Sequence, residues 1–171
     1  MKKFSSNVME LMDSVVFALI AVMLAFTLVC RIYVVDGDSM RTTLMDKDRI
    51  LVSQLFYTPK QGDIVCFVAK EKKDKILIKR VIATEGQTIN ITQDYTVTVD
   101  GVELEEDYLD VWIHTEPKGF AFPYTVQEGE VFCMGDNRVN STDSRDIGPI
   151  ETKHLLGRLI VRLVPNFGVV E

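Results

Sequence analysis

A run of 17 residues without charge, from residue 14 to residue 30, limits the folds open to this 171-residue chain more than any other feature. With Leu11, Met12 and the apolar flank 32–35, the run approaches the roughly 20 residues that a helix needs to cross a bilayer. It is longer than the apolar core of a typical signal peptide, and no clear small-x-small cleavage site follows it. We therefore predict an uncleaved transmembrane anchor over residues 14–35, with a buried core helix as the alternative.

The anchor leaves a short N-terminal segment, 1–13, and a main domain, 36–171. Hydrophobic residues make up 47% of the chain, which is enough for a real core. The formal net charge of −6 argues against nucleic acid as a partner, because phosphate binding needs a basic face. Lys2 and Lys3 precede the anchor and Arg31 follows it, so the positive-inside rule favours a cytoplasmic N-terminus and an extracytoplasmic main domain.

The main domain is predicted to be mainly β. Short apolar runs rich in branched residues predict strands near 48–52, 63–68, 76–83, 131–134 and 153–164. Asp100-Gly101 between two alternating segments predicts a hairpin with a type I′ turn. Apart from a possible turn near 151–155, no further helix is predicted. The expected fold is one membrane helix followed by an antiparallel β domain.

Cysteine and histidine patterns give no sign of a metal site or a cofactor. The three cysteines lack metal-ligand spacing and are interpreted as small buried hydrophobic residues, although a Cys66–Cys133 bridge stays open. His114 and His154 have no clustered ligands around them. No glycine loop of the phosphate-binding type occurs, so we expect no cofactor and no metal.

Ser39 and Lys79 are the candidate catalytic pair. A serine is a poor nucleophile until a base removes its proton, and neither histidine lies in a catalytic context. A lysine can act as that base if burial lowers its pKa towards neutrality. Lys79 lies in an apolar stretch, and strand alternation places it on one face with Leu77 and Val81.

Several motifs in order along the chain resemble bacterial type I signal peptidases, membrane-anchored Ser/Lys proteases. They are Ser-Met-Arg-Thr-Thr-Leu at 39–44, Gly-Asp-Ile-Val at 62–65, Lys-Arg-Val-Ile at 79–82, the Gly-Asp-Asn-Arg segment at 135–145 and Gly-Pro at 148–149. Each short motif alone is unspecific, but the long Gly-Asp-Asn-Arg segment in this order is highly specific. The resemblance implies an antiparallel β-sheet catalytic domain of the signal-peptidase and SOS-repressor-protease type.

The resemblance also implies roles for individual residues. Ser39 would be the nucleophile and its backbone N–H an oxyanion donor, with Lys79 as general base. Ser141 would orient the lysine amine, and Asp143 with Arg145 would form an ion pair that braces the site. Ala83 and Gln87 stand in the lysine motif where glycine and an acid are common, and two positions beside Ser39 also depart from the family pattern. Gly37 stands where some members have a serine that donates to the oxyanion, and Thr42 replaces a usual proline.

The implied substrates are the signal peptides of exported preproteins, with small residues at positions −1 and −3. The substrate would bind as an extended strand, and its pocket walls would be formed by Val35, Asp38, Met40, Ile76 and Ile78. The lipid bilayer is the other expected partner, because a single-pass protein of the cell membrane is implied. Two alternatives remain open: a catalytically weak or inactive signal-peptide-binding homologue, and a self-cleaving Ser/Lys protease.

Overall fold

An N-terminal helix and two antiparallel sheets make up the part of the chain that the computed structural model describes, residues 2–109 and 114–170. The chain divides into two compact units, Met1–Arg31 and Ile32–Glu171. The helix, α1, spans Lys2–Val29. Among the described residues, no helix is long and apolar enough to cross a membrane.

The predicted anchor 14–35 takes two conformations. Its first part, 14–29, belongs to α1, whereas Cys30–Val34 forms the first strand, β1. Branched and aromatic residues alternate there: Tyr33 is half-buried and Val35 is buried, while Ile32 and Val34 are exposed. This period of two is typical of a strand with one covered face, so residues 32–34 belong to the sheet and Val35 follows directly after the strand.

The remaining strands belong to a large and a small sheet. They are β2 Arg49–Ser53, β3 Ile64–Ala69, β4 Lys75–Thr84, β5 Thr88–Ile91, β6 Val97–Val99, β7 Val102–Glu103, β8 Tyr124–Thr125, β9 Glu130–Met134, β10 Ile150–Glu151 and β11 Leu155–Val164. The large sheet has the order β1-β2-β11-β3-β4-β9-β10, and the small sheet has the order β7-β6-β5-β8. The strand pairings between neighbours from β2 to β11 are antiparallel, which confirms the predicted antiparallel β fold.

Local sequence explains most of these elements. Asp100 and Gly101 connect β6 and β7 with φ angles of 53° and 80°, as the predicted hairpin requires. A second helix, α2 (Ser144–Ile147), was not predicted. It begins at a reciprocal cap in which the Asp143 carboxylate accepts from the helix backbone and Asp146 accepts from the Asp143 N–H.

Both faces of the large sheet are covered. Ile64 and Cys66 of β3 belong to one apolar cluster, while Val65, Phe67 and Ala69 of the same strand belong to another. The first cluster also contains Met40 and Leu44, which lie just after Ser39 in the chain. Cys66 and Cys133 are both free thiols and lie in different clusters, so the bridge that the sequence left open is not formed.

Candidate active site

Ser39 and Lys79 meet although 40 residues separate them in the chain. Ser39 lies in the turn that follows β1, and Lys79 lies in the middle of β4. The Lys79 Nζ lies 2.7 Å from the Ser39 Oγ and donates a hydrogen bond to the Ile78 carbonyl at 2.8 Å. The structure thus places a primary amine within proton-transfer distance of a serine hydroxyl.

Burial makes Lys79 a weaker base than an exposed lysine. Its side chain is only 1% exposed. Desolvation lowers its pKa to about 8, although the negative charges of Asp143 and Asp136 act in the opposite direction. A lysine with this pKa is neutral in a useful fraction of molecules near physiological pH, which a general base requires.

Apolar anchors and one polar contact hold the turn that carries Ser39. Met40 and Leu44 are fully buried, and the Leu44 N–H donates to the Met40 carbonyl at 2.8 Å. The Thr43 hydroxyl donates to the Asp136 carboxylate at 2.5 Å. Ser39 therefore lies on a loop that is attached both to the core and to the segment after β9.

Asn137 links that segment directly to the peptide groups around Ser39. Its backbone N–H donates to the Ser39 carbonyl at 3.0 Å, and its side-chain Nδ2 donates to the Asp38 carbonyl at 3.0 Å. The sequence analysis assigned no role to Asn137. Its place inside the Gly-Asp-Asn-Arg segment was the available signal, but sequence does not indicate which carbonyls an amide side chain meets.

Arg80, next to Lys79 on β4, forms contacts that hold the fold together. Its guanidinium forms a bidentate ion pair with Asp136, at 3.0 and 2.8 Å, and donates to the Gly62 carbonyl at 3.0 Å. The guanidinium also lies 3.8 Å from the centre of the Tyr108 ring. The same Asp136 accepts from Thr43, so one buried carboxylate connects β4 with the turn that carries Ser39.

Gly135 allows the end of β9 to approach this turn. A Cβ at this position would lie 2.5 Å from the Ser39 carbonyl oxygen and would overlap the Ser141 side chain. No residue with a side chain fits there without moving Ser39. Glycine is therefore required by close approach and not by backbone conformation.

Ser141 lies beside Gly135 with its Oγ buried. That oxygen has no hydrogen bond of ordinary geometry to any described residue, so the implied bond to the Lys79 amine is absent from this arrangement. The hydroxyl is close enough to Asp143 to help lower the pKa of that carboxyl. Lys118 contacts the Ser141 carbonyl and donates to Asp146 at 3.0 Å, which holds the Ser141 backbone in place.

Asp143 and Arg145 form a fully buried bidentate ion pair, with distances of 2.9 and 2.8 Å. Burial raises the pKa of Asp143, but the hydrogen bonds and charge of Arg145, with the Gly135 N–H, outweigh it and hold that pKa below its ordinary value. Arg145 also donates to the Arg138 carbonyl at 2.8 Å. The pair thus ties α2 to the loop that carries Asn137.

The oxyanion side of the site depends on backbone groups. Gly37 has a φ of +96°, a conformation that disfavours a side chain even though a Cβ would meet no atom. Its N–H donates to Asp46 at 2.9 Å. The Ser39 N–H has no hydrogen-bond acceptor within the described ranges and is free to serve a ligand.

A cleft of about 180 Å³ opens beside the two reactive atoms. Four of the predicted wall residues, Val35, Met40, Ile76 and Ile78, line it, together with Tyr33, Val34, Asp36, Ser39, Leu77 and Lys79. Asp38 is exposed and is not one of the described residues that line it. Tyr33, on β1, was not predicted because the sequence analysis assigned that segment to the anchor.

One edge of β4 is open along this cleft. β9 pairs with β4 only from Arg80 onwards, through Arg80↔Met134 to Thr84↔Val131. On that side, residues 75–79 have no strand partner among the described residues, although β3 pairs with their other edge. The cleft therefore combines an apolar floor with backbone groups that an extended peptide can pair with.

Comparison with known proteins supports the same interpretation. Residues 8–164 match the family model described as signal peptidase, peptidase S26. The chain is 34% identical to signal peptidase I P of Bacillus subtilis subsp. natto, over 91% of this chain and 89% of that protein. It is also 34% identical to the probable signal peptidase I-1 of Synechocystis sp. PCC 6803, over 86% and 80% of the two chains.

A solved structure is similar as well. The crystal structure of a signal peptidase I from Enterococcus faecalis V583 aligns with a TM-score of 0.52 and 29% identity, covering 61% of this chain and 98% of that one. The family match spans most of the chain, and it agrees with a serine and a buried lysine in contact at an open strand edge. This chain belongs to the signal peptidase family, peptidase S26, a family of serine endopeptidases.

Proposed function

We propose that this protein cleaves signal peptides from exported preproteins, with Ser39 as nucleophile and Lys79 as general base. The observation that carries the proposal is the 2.7 Å contact between the Ser39 hydroxyl and an amine that is 1% exposed. Family membership supports the substrate class, since the relatives are signal peptidases by name.

In the first half of the reaction, the Ser39 Oγ attacks the scissile carbonyl carbon while its proton passes to the neutral Lys79 Nζ. The Ser39 N–H donates to the oxyanion that forms. Lys79 then gives the proton to the leaving amine, the C–N bond breaks, and the mature protein departs. The signal peptide remains as an ester on Ser39.

In the second half, Lys79 is neutral again and takes a proton from a water molecule. The hydroxide attacks the ester carbonyl, the bond to Ser39 Oγ breaks, and the proton returns to that oxygen. Each half therefore needs the lysine without its charge, and its burial favours that state.

The signal peptide is proposed to pair with the open edge of β4, residues 75–79. Backbone pairing gives affinity without sequence preference, so selection depends on the pockets for alternate side chains. Met40 and Ile78 are buried and apolar at the floor of the cleft. We propose that this floor accepts small side chains at positions −1 and −3 and rejects charged ones.

Cleavage of a purified preprotein by the full-length chain in detergent tests the catalytic assignment. Ser39→Ala and Lys79→Met should each lower kcat/KM by at least about 10³-fold, since nucleophile and base act as a unit. Lys153→Met, which removes an exposed lysine on another part of the surface, serves as the control and should retain activity. Retained cleavage in either site variant would refute the pair.

The same assay separates the two alternatives. A binding homologue without catalysis would retain signal-peptide affinity with no turnover, and a serine-reactive probe would leave Ser39 unlabelled. A self-cleaving protease would cut its own chain and leave the preprotein intact. The open edge of β4 beside Ser39 favours an external peptide, because it leaves room for a strand from another molecule.

We also propose that α1 attaches the protein to the cell membrane, with the N-terminus in the cytoplasm and the catalytic unit outside. Support comes from the uncharged run 14–30 and from exposed apolar side chains such as Phe17, Val22 and Met23. Extraction of membranes at alkaline pH should leave the protein in the pellet. Protease added outside the cell should then degrade the catalytic unit, and protection of that unit would overturn the orientation.

A further inference from the structure

Asn137 holds both carbonyl groups that flank the nucleophile. Its side-chain amide donates to the Asp38 carbonyl, and its backbone N–H donates to the Ser39 carbonyl, each at 3.0 Å. The Asp38 carbonyl belongs to the peptide that joins residue 38 to Ser39. That peptide also contains the Ser39 N–H, the donor that faces no protein acceptor in the described structure.

A peptide unit is planar, and its C=O and N–H point in opposite directions. A hydrogen bond to the Asp38 oxygen therefore also sets the direction of the Ser39 N–H. The Arg41 N–H donates to the same oxygen at 3.1 Å, so two donors on one side hold the plane. Donation to a carbonyl also polarises the peptide and strengthens its own N–H as a donor.

The position two residues before Ser39 offers no hydroxyl that would replace this donor. Gly37 carries no side chain, and its φ of +96° disfavours one. Stabilisation of an oxyanion at Ser39 thus depends strongly on one backbone N–H whose direction is set from Asn137. An oxyanion donor contributes only when it points at the position that the charge will occupy.

We propose that the Asn137 side chain is a positioning residue for the oxyanion hole, acting through the peptide between Asp38 and Ser39. It touches neither the substrate nor the reacting atoms. Its effect is to orient the Ser39 N–H in the transition state. The inference rests on the proposed role of Ser39 as nucleophile.

The loop has enough other supports to keep its fold without this side chain. The backbone bond from Asn137 to the Ser39 carbonyl, the Thr43–Asp136 bond and the buried Met40 and Leu44 all remain after substitution. Asn137 is itself only half-buried, so its truncation leaves no large cavity. Loss of activity can thus be separated from loss of structure.

The test compares Asn137→Ala and Asn137→Asp with the same substitutions at Asn140, in full-length protein on a preprotein substrate. Asn140 is exposed on the same loop, and its side chain makes no hydrogen bond to the described residues. Because it is also an asparagine, the same substitutions there change side-chain size and charge by the same amount. Both Asn137 variants should lower kcat by about 10- to 100-fold with KM within about 2-fold, because only the transition state uses the oriented N–H. Both Asn140 variants should stay within about 2-fold of wild type in kcat.

A second readout separates positioning from general structural support. A peptide boronic acid forms a tetrahedral adduct on a serine, whereas the matching peptide amide binds without one. Asn137→Ala should lower the affinity for the boronic acid by about the same factor as it lowers kcat/KM, and it should leave the affinity for the amide unchanged. Asn137→Gln keeps an amide donor. Its kcat should therefore be at least about tenfold higher than that of Asn137→Ala, given the usual contribution of one oriented donor.

Wild-type kcat in Asn137→Ala, or equal losses for the boronic acid and the amide, would overturn the inference. So would a melting temperature far below that of Asn140→Ala, because the amide would then support the loop as a whole. These results are distinct from a failure of the proposed function. If Ser39→Ala still cleaves, the nucleophile is wrong; if it is inactive while Asn137→Ala is normal, only the positioning role is wrong.

Discussion

The chemistry at the residue scale depends on how far burial shifts one lysine. An exposed lysine has a pKa of roughly 10.4, so it is charged at neutral pH and cannot accept a proton. Desolvation brings the pKa of Lys79 to about 8. The nearby carboxylates Asp143 and Asp136 limit the shift, because negative charge favours the ammonium.

The first prediction concerns the pH dependence of cleavage. Because the proposed mechanism uses neutral Lys79, kcat/KM should rise about tenfold per pH unit below about pH 8 and level off above it. If the substrate has no ionisable side chain near the cleavage site, the rising part of this pH profile can be assigned to a group of the enzyme. A profile that is flat from about pH 6 to 9, or a midpoint near 10.4, would contradict the role of Lys79.

Lys75 provides an internal control for this profile. Its positive charge is one of the causes that lower the pKa of Lys79. Lys75→Met should therefore move the midpoint upwards, and only slightly, because the Lys75 side chain is 57% exposed and well screened by solvent. A midpoint at lower pH in Lys75→Met would show that the rising part of the profile reports the titration of another group.

Sequence predicted the Ser39–Lys79 pair, whose side chains are in contact, better than the residues that hold the pair in place. Ser39 and Lys79 lie in motifs that are local in the chain, and alternation placed Lys79 in an apolar strand. Asn137 was missed because its partners are backbone carbonyls almost 100 residues away. A side-chain amide in a loop has no sequence signature that specifies such partners.

At the element scale, the segment from β9 through α2 is the main support of the site. Within the 11 residues 135–145 it contains Gly135, Asp136, Asn137, Ser141 and the pair Asp143–Arg145. The pair is fully buried and bidentate, so each charge depends on the other. Removal of one partner from such a pair leaves an uncompensated charge in the protein interior.

The second prediction follows from that dependence. Arg145→Met should lower the free energy of unfolding near neutral pH by about 3 to 5 kcal/mol, because it leaves the Asp143 carboxylate buried and unpaired. Since the pKa of Asp143 is lowered in the folded state, the pair stabilises the fold above roughly pH 4 and loses this effect as the pH falls further. The difference in the free energy of unfolding between variant and wild type should therefore become smaller at acid pH, as measured by denaturant unfolding at several pH values.

Two further variants check the cause. Arg158→Met removes an arginine that is half exposed and lies 3.9 Å from Asp63, so it should cost less than about 1 kcal/mol. The double variant Asp143→Asn with Arg145→Met removes both charges and should be more stable than Arg145→Met alone. If the double variant were no more stable, the loss would come from packing and not from an unpaired charge.

At the scale of the whole molecule, the chain divides into α1 with its adjoining residues and a β unit that contains every residue of the site. The boundary lies at Ile32, so the β unit includes most of β1 and all residues that line the cleft. Each unit has its own contacts. The unit that performs the chemistry is therefore expected to fold without α1.

The third prediction tests this division. A variant that begins at Ile32 should unfold cooperatively and cleave a short soluble peptide with a kcat/KM within about threefold of the full chain. Its rate on a preprotein held in vesicles should fall at least about tenfold, because attachment of enzyme and substrate to one surface raises their effective concentration. Equal losses on both substrates would show that α1 supports the site itself, and no loss on vesicles would argue against membrane attachment.

The sequence by itself determined the elements whose causes are local. These are the uncharged helical run, most strands of the large sheet, the Asp100-Gly101 turn and the motifs that identify the family. Tertiary structure decided that residues 30–34 form an edge strand, that Ser39 meets Lys79, and that Asn137 and Asp136 hold the nucleophile from the other side. The physical reason is that burial, pKa and hydrogen-bond partners are set by residues distant in the chain, whereas strand alternation and turn preference are set by neighbours.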